Sequence, residues 1–198
     1  MLKKNLIYDA YPMHRVEDQL EAMSGSSVFT TLDLTKCYHQ MKLAESSKEI
    51  TAFSSPKGLF QWKVLPMGMK TSGAVFQRLM DIMLGNLQPR CAVVYIDNIT
   101  IFSPSLGQHL IDLSKIFKRL SEVNLKINLE KCSFVKSEVK VLGHLVSKQG
   151  IRPDPKKVEV IQQLTPHKDV TGVKSFVGVI NYFRKFIPRC LILAEPLL

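Results

Sequence analysis

Residues 91–103, CAVVYIDNITIFS, set two strongly β-forming runs, Cys91 to Tyr95 and Ile99 to Phe102, on either side of a short polar centre. Valine, isoleucine, tyrosine and phenylalanine suit a pleated, half-buried surface, and two such runs this close together fold back through a tight turn. The segment therefore reads as a β-hairpin with Asp97 and Asn98 at its tip. Both arms are apolar along their length, so the hairpin needs neighbouring strands and a covering layer.

The rest of the chain offers both. Val28 to Leu34 is a second β-branched and aromatic run, and Ile50 to Ser54 and Leu59 to Val64 flank Lys57-Gly58 as a further hairpin. Pro12 is placed to open a helix reaching Met23, with Val16, Leu20 and Met23 on one face. Ser72 to Leu84 carries Phe76, Leu79, Met80 and Met83 at helical spacing and stops at Gly85-Asn86. After the hairpin, Leu110, Leu113, Phe117, Leu120 and Val123 predict the buried stripe of another helix. A short strand pair around Val139 to Val146 follows, then helices over about 155–164 and 170–187. The last is expected to bury Val173, Phe176, Val177, Ile180, Phe183 and Ile187 and to show Lys174, Arg184 and Lys185. These elements predict a compact α+β unit with an antiparallel sheet.

Composition excludes several classes. At 198 residues and 45% hydrophobic content the chain has material for a real core. Its longest apolar run, Cys91 to Ile96, is six residues, against the roughly 20 of a membrane-spanning helix, and the N-terminus has no apolar stretch of the signal-peptide kind. The expectation is an intracellular protein, in cytoplasm or nucleus, without membrane contact. Cys37, Cys91, Cys132 and Cys190 are widely spaced and form no CxxC pair, which argues against a disulfide scaffold or a zinc module. The net charge of +10 divides into about +2 over residues 1–99 and +8 over 100–198, so the second half is the better polyanion surface.

Two acids stand where structure alone does not ask for them. Asp33 lies inside the apolar phrase FTTLDL, and Asp97 follows VVYI. A carboxylate on a core strand must be paired, hydrogen-bonded or metal-bound, because burying it alone costs several kcal/mol. One strand acid and one hairpin acid is also how a two-metal phosphoryl-transfer site is built. On spacing alone the plainer reading stands beside it: Asp33 ends its strand, and Asp97 is a good turn former.

Seven blocks lie in order along the chain: LDLTKCYHQMKL (32–43), TAF (51–53), LPMGMKTSGAVFQRLMD (65–81), VVYIDN (93–98), KINLEKCSF (126–134), VLGHLVSKQGIRPDPKKVEVI (141–161) and VKSFVGVINYFRKFIP (173–188). In sequence and spacing they resemble the reverse transcriptase of gypsy-type LTR retrotransposons over nearly the whole chain. The resemblance implies a right-hand polymerase palm, an antiparallel sheet backed by helices, over 1–145, and the start of a thumb over 146–198, with the fingers largely missing. The implied reaction is RNA-directed DNA polymerisation: nucleotidyl transfer to a primer 3′ end with two Mg²⁺, or Mn²⁺, ions. Asp33, Asp97 and position 98 would form the catalytic set, with Asp33, the carbonyl of Leu34 and Asp97 on metal. Tyr38 falls at the gate that excludes a ribose 2′-hydroxyl. Leu65 to Gln77, with Met67 and Gly68, falls where the segment along the incoming nucleotide lies. Lys126 and Lys131 belong to the lysine-bearing block, and Leu142, Gly143 and His144 to the turn that grips the primer. The implied partners are an RNA or DNA template with its primer, deoxynucleotide triphosphates, and a larger polyprotein with RNase H and integrase.

The sequence departs from the pattern at three places. The family hairpin reads YxDD, and Asn98 replaces its second acid. Asn keeps the size and suits a turn that needs positive φ, but it removes one negative charge from a site for divalent cations, which predicts a loss of activity by orders of magnitude. The opening LKKNLIYDAYPMHR resembles the stretch between fingers and palm, so the basic triphosphate clamp of the fingers is expected to be absent. Thr71 and Gly73 stand where relatives usually have Asn and Pro, and His14 where YPxPR has Pro. An impaired reverse transcriptase is thus expected; the alternatives are a non-catalytic nucleic-acid-binding remnant, or a domesticated pseudoenzyme, and a marginally stable fragment with neither role.

Overall fold

The computed structural model describes residues 11–164 and 169–197, so most of the stretch resembling the fingers-to-palm connection lies outside the described residues. The first elements are helix α1 (Val16–Ala22), strand β1 (Val28–Asp33), the single turn α2 (Glu45–Lys48) and the short hairpin β2 (Phe53–Ser55) and β3 (Gly58–Phe60). Helix α3 (Ser72–Leu84) leads to the apolar hairpin, β4 (Ala92–Tyr95) and β5 (Asn98–Ser103), and then to helix α4 (Leu106–Glu122). Strand β6 (Ser133–Lys136) precedes β7 (Glu138–Val141), β8 (His144–Ser147) and β9 (Gly150–Pro153). Helices α5 (Pro155–Gln162), α6 (Val170–Tyr182) and α7 (Cys190–Ala194) follow.

The hairpin finds its neighbours in a four-stranded antiparallel sheet of order β4-β5-β1-β6. Side chains alternate across it with period two. Leu32, Val94, Ile99 and Ile101 face α3 and α4, packing with Phe76, Met80, Leu84, Leu113, Ile116 and Leu120. Phe29, Val93 and Phe102 face the other way, toward Leu20 and Met23 of the α1 region and Val139, Val141 and Val146 of the second sheet. Both faces are covered, which is why the arms read as continuous apolar runs. The fold is α+β, an antiparallel sheet backed by helices.

The second sheet is three-stranded, β7-β8-β9, rather than a strand pair. Position 145/146, the expected palm–thumb boundary, lies inside β8, which pairs with a strand on each side. All four cysteines are free thiols.

Other elements also differ from the sequence reading: the expected hairpin of Ile50 to Ser54 and Leu59 to Val64 is confined to Phe53–Ser55 and Gly58–Phe60, because Glu49–Thr51 forms a 3₁₀ turn. Helix α1 begins at Val16, four residues after Pro12. The Tyr11 hydroxyl donates to Asp81 Oδ2 at 2.7 Å and His14 Nε2 meets Asp81 Oδ1 at 2.9 Å, so tertiary bonds hold this approach out of the helix. The buried face of α4 is His109, Asp112, Leu113, Ile116 and Leu120, whereas Leu110, Phe117 and Val123 are exposed. Hydrogen bonds cause the rotation: His109 Nε2 meets Thr30 Oγ1 at 2.8 Å, His109 Nδ1 meets Ser103 Oγ at 3.1 Å, and Ser103 Oγ donates to Asp112 Oδ2 at 3.0 Å. Two polar residues are buried because each is satisfied, which a purely apolar stripe does not register. Finally, α6 ends at Tyr182 and passes into a 3₁₀ turn, Arg184–Phe186; of its expected core face only Phe183 is fully buried.

Candidate active site

Asp33 ends β1 and Asp97 sits in the two-residue turn between β4 and β5, where Tyr95 pairs with Asn98. The sheet register brings the acids together. Asp33 is the partner of Asn98 across β1 and β5, and the Leu34 amide donates to the Asp97 carbonyl at 3.2 Å. Both carboxylates are half-buried and Asn98 is exposed, so all three side chains open toward solvent at one end of the sheet.

The turn itself corrects the sequence reading. Its loop residues are Ile96 and Asp97, and the positive φ, +56°, falls on Ile96, while Asn98 is the first residue of β5. A β-branched residue in this region stores roughly 1–3 kcal/mol of strain and needs support from its surroundings. Gln77, fully buried on α3, supplies it. Its Oε1 accepts from the Ile96 amide at 2.9 Å, and its Nε2 donates to Asp81 Oδ1 at 3.0 Å. Gln19, also buried, donates to the Val94 carbonyl at 2.9 Å. Two amides thus fix the hairpin that carries Asp97, and sequence reasoning gave neither a role; polar side chains at otherwise apolar helix positions were the available signal.

The loop after β1 is pinned on its other side. The Asn128 amide donates to the Asp33 carbonyl at 2.8 Å and the Thr35 amide to the Lys126 carbonyl at 3.0 Å. Gln40 closes the loop, accepting from the Lys126 amide at 2.7 Å and donating to the carbonyls of Thr35 and Lys126. Lys131 Nζ stands 4.0 Å from Asp33 Oδ1, a solvent-exposed pair of small energetic weight. The Cys37 thiol senses both acids: burial, with Asp97 and Asp33 adding to it, pushes its pKa up to about 11. The Tyr38 phenol is raised by burial, then by Cys37 and Asp97. Its ring stands edge-on to Phe76, centroids 5.6 Å apart, so Tyr38 packs against the core while staying partly exposed.

The remaining expected residues lie on two other segments of the chain. Met67 and Gly68 are exposed on the segment leading to α3; Gly68 has φ +85°, and nothing lies within 4 Å of where a Cβ would stand. The Ser72 hydroxyl anchors that segment by donating to the Pro66 carbonyl at 2.8 Å. Leu142 and Gly143 are the two turn residues between β7 and β8, with φ +47° and +74°. Leu142 and Asn98 line the same small cavity, of about 30 Å³. His144 is 3% exposed, so its side chain belongs to the interior behind the turn.

The family described as "Reverse transcriptase (RNA-dependent DNA polymerase)" matches residues 2–146, well over half of the chain. The chain belongs to the reverse transcriptase family. It is 38% identical over 197 residues to the retrovirus-related Pol polyprotein from transposon 297 of Drosophila melanogaster, covering 99% of this chain and 18% of the relative. The Pol polyprotein from transposon gypsy of the same species is 36% identical over 196 residues, covering 99% and 19%. The chain therefore spans less than a fifth of the length of these relatives. Among solved structures, the foamy viral protease-reverse transcriptase dRH in complex with double-stranded DNA matches with a TM-score of 0.91 at 25% identity, covering 99% of this chain and 34% of that one. The foamy viral protease-reverse transcriptase in complex with an RNA/DNA hybrid matches at 0.84, also 25% identical, covering 99% and 26%.

The antiparallel sheet and its helices are thus a reverse transcriptase palm, from a family whose reaction is RNA-directed DNA polymerisation and depends on divalent metal. Two carboxylates at adjacent strand ends fit the chemistry of a hard divalent cation. Among the described residues they have no third acid, imidazole or thiol grouped with them as a metal cluster. No helix of the described residues is long and apolar enough to cross a membrane.

Proposed function

We propose that this reverse transcriptase domain holds a primed RNA or DNA template across its palm and the start of its thumb, with nucleotidyl transfer strongly impaired by Asn98. The observation that carries this reading is the register of Asp33 against Asn98, with Asp97 tied to Leu34 beside them. Asp33, the Leu34 carbonyl and Asp97 are the groups to hold two Mg²⁺ or Mn²⁺ ions, which in this chemistry stabilise the charge on attacking and leaving oxygens. The chain's own residues would do the rest. Tyr38 walls the sugar side, Met67 and Gly68 pass beneath the incoming deoxynucleotide triphosphate, and Leu142, Gly143 and His144 set the primer end. The amide at position 98 adds an oxygen but no charge, which weakens cation occupancy and the alignment of the 3′-hydroxyl.

The division into a palm over 1–145 and a thumb start over 146–198 belongs to the same reading, with the β7-β8-β9 sheet as the joint. So do an intracellular setting, in cytoplasm or nucleus, and a polyprotein context with RNase H and integrase. The test is primer extension on an RNA template with Mg²⁺ or Mn²⁺, comparing the unmodified chain with Asn98→Asp and Asp33→Ala. The expected result is at least ~100-fold more extension by Asn98→Asp than by the unmodified chain. Robust extension by the unmodified chain, abolished by Asp33→Ala, would overturn the impaired reading.

A further inference from the structure

The Leu142–Gly143 turn is held more firmly than a two-residue hairpin turn requires. Both of its residues have positive φ, the geometry of a tight primed turn, in which Asn-Gly is the usual pair and leucine is strained. The Leu142 carbonyl receives two donors: the Tyr182 hydroxyl at 2.5 Å, and His144 Nδ1 at 2.9 Å with the proton on that nitrogen. The Gly143 carbonyl accepts from the Asp154 amide at 3.1 Å. Tyr182 is the last residue of α6, 40 positions away in sequence, and its ring lies 3.7 Å from the point a Gly143 Cβ would occupy. The donors are themselves fixed. The His144 ring packs against Tyr182, Phe183 and Phe186, with centroids 5.3 to 5.6 Å apart. Lys185 Nζ, beyond the end of α6, reaches Glu21 Oε1 of α1 at 3.0 Å.

We propose that Tyr182 and His144 are positioning residues that lock the Leu142–Gly143 turn through its carbonyl, so that the end of α6 sets where the primer-facing backbone stands. The proposal rests on the reading of this turn as the primer grip. Its physical basis is that a strained turn keeps one conformation only where the surroundings over-determine it, and two donors from different elements on one oxygen do so. Because Leu142 also borders the Asn98 cavity, a shift of the turn is a shift of the primer end against the acids.

Tyr182→Phe separates this role from simple packing, since it keeps the ring and removes only the hydroxyl. In the free full chain, hydrogen exchange at the His144 and Asp154 amides should rise at least ~10-fold in Tyr182→Phe and in His144→Leu, while His144→Asn, which retains a donor, should largely restore protection. With a primed duplex bound, 2-aminopurine at the primer 3′ end should brighten about twofold in Tyr182→Phe, and the same probe placed several base pairs back should not. Unchanged exchange in Tyr182→Phe would overturn the clamp. A loosened turn with an unchanged terminal probe would overturn its coupling to the primer. If the unmodified chain binds no primed duplex, the functional reading fails by itself, and the exchange measurement alone decides the clamp.

Discussion

At position 98 an amide in place of a carboxylate is nearly neutral for the fold, and the proposed function makes it severe for the chemistry. Asn98 starts β5, is exposed, and pairs with Asp33 and Tyr95 through backbone geometry that either residue supports. Asn98→Asp should therefore leave the urea midpoint of unfolding almost unchanged while raising metal-dependent extension, because surface substitutions away from special features stay within about 0.5 kcal/mol. Gln77 is the reverse case, a buried residue on which the turn carrying Asp97 depends. Gln77→Leu fills the same space but leaves the Ile96 amide without its acceptor, and the loss of stability should be about 1–3 kcal/mol, seen as a lower urea midpoint with an unchanged slope. An unaltered midpoint would show that the Ile96 turn stands without its glutamine prop.

Among the elements, the sheet and α4 are joined by polar bonds as well as by apolar packing. Burial holds the His109 imidazole below its usual pKa, with the Asp112 carboxylate pulling the other way, and burial also lowers His144 against its bond to the Leu142 carbonyl. The unfolded rings take up protons near pH 6.5 and the folded ones only at lower pH, so acid favours the unfolded chain. Stability from these two histidines is complete above about pH 6.5 and is lost as pH falls toward the folded values. The melting temperature should drop between pH 7.5 and 5.5, and His144→Asn should make that drop shallower. The apolar layer is simpler: Phe76 has no exposed surface and backs Tyr38, so Phe76→Ala should cost about 3–5 kcal/mol and disturb Tyr38 with the core.

Over the whole molecule, charge is divided unevenly along the chain. Residues 1–99 are close to balanced and include both site acids, and residues 100–198 hold most of the excess of +10. Binding of a primed duplex should weaken at least ~10-fold between ~50 and ~200 mM salt, because each lysine or arginine on a phosphate releases a condensed counterion. A flat salt response in filter binding would count against the basic half as the gripping surface. Much of this was legible in the chain itself. The β4–β5 hairpin and α3 with its end at Gly85 follow from side-chain period, β-branching and turn chemistry, which are local properties, whereas Asp33 and Asp97 are joined as a pair only by the family resemblance. Ordered blocks from LDLTKCYHQMKL to VKSFVGVINYFRKFIP identified the family, since their joint spacing is far more specific than any one motif. Only the tertiary structure decided the residue that carries the turn strain, Ile96 rather than Asn98, and the face of α4 that turns inward. It alone set the delayed start of α1 and the meeting of Tyr182 with the Leu142 carbonyl. Each of these depends on hydrogen bonds between residues distant in sequence, and a donor's partner is fixed by where the folded chain brings it, not by the residues beside it.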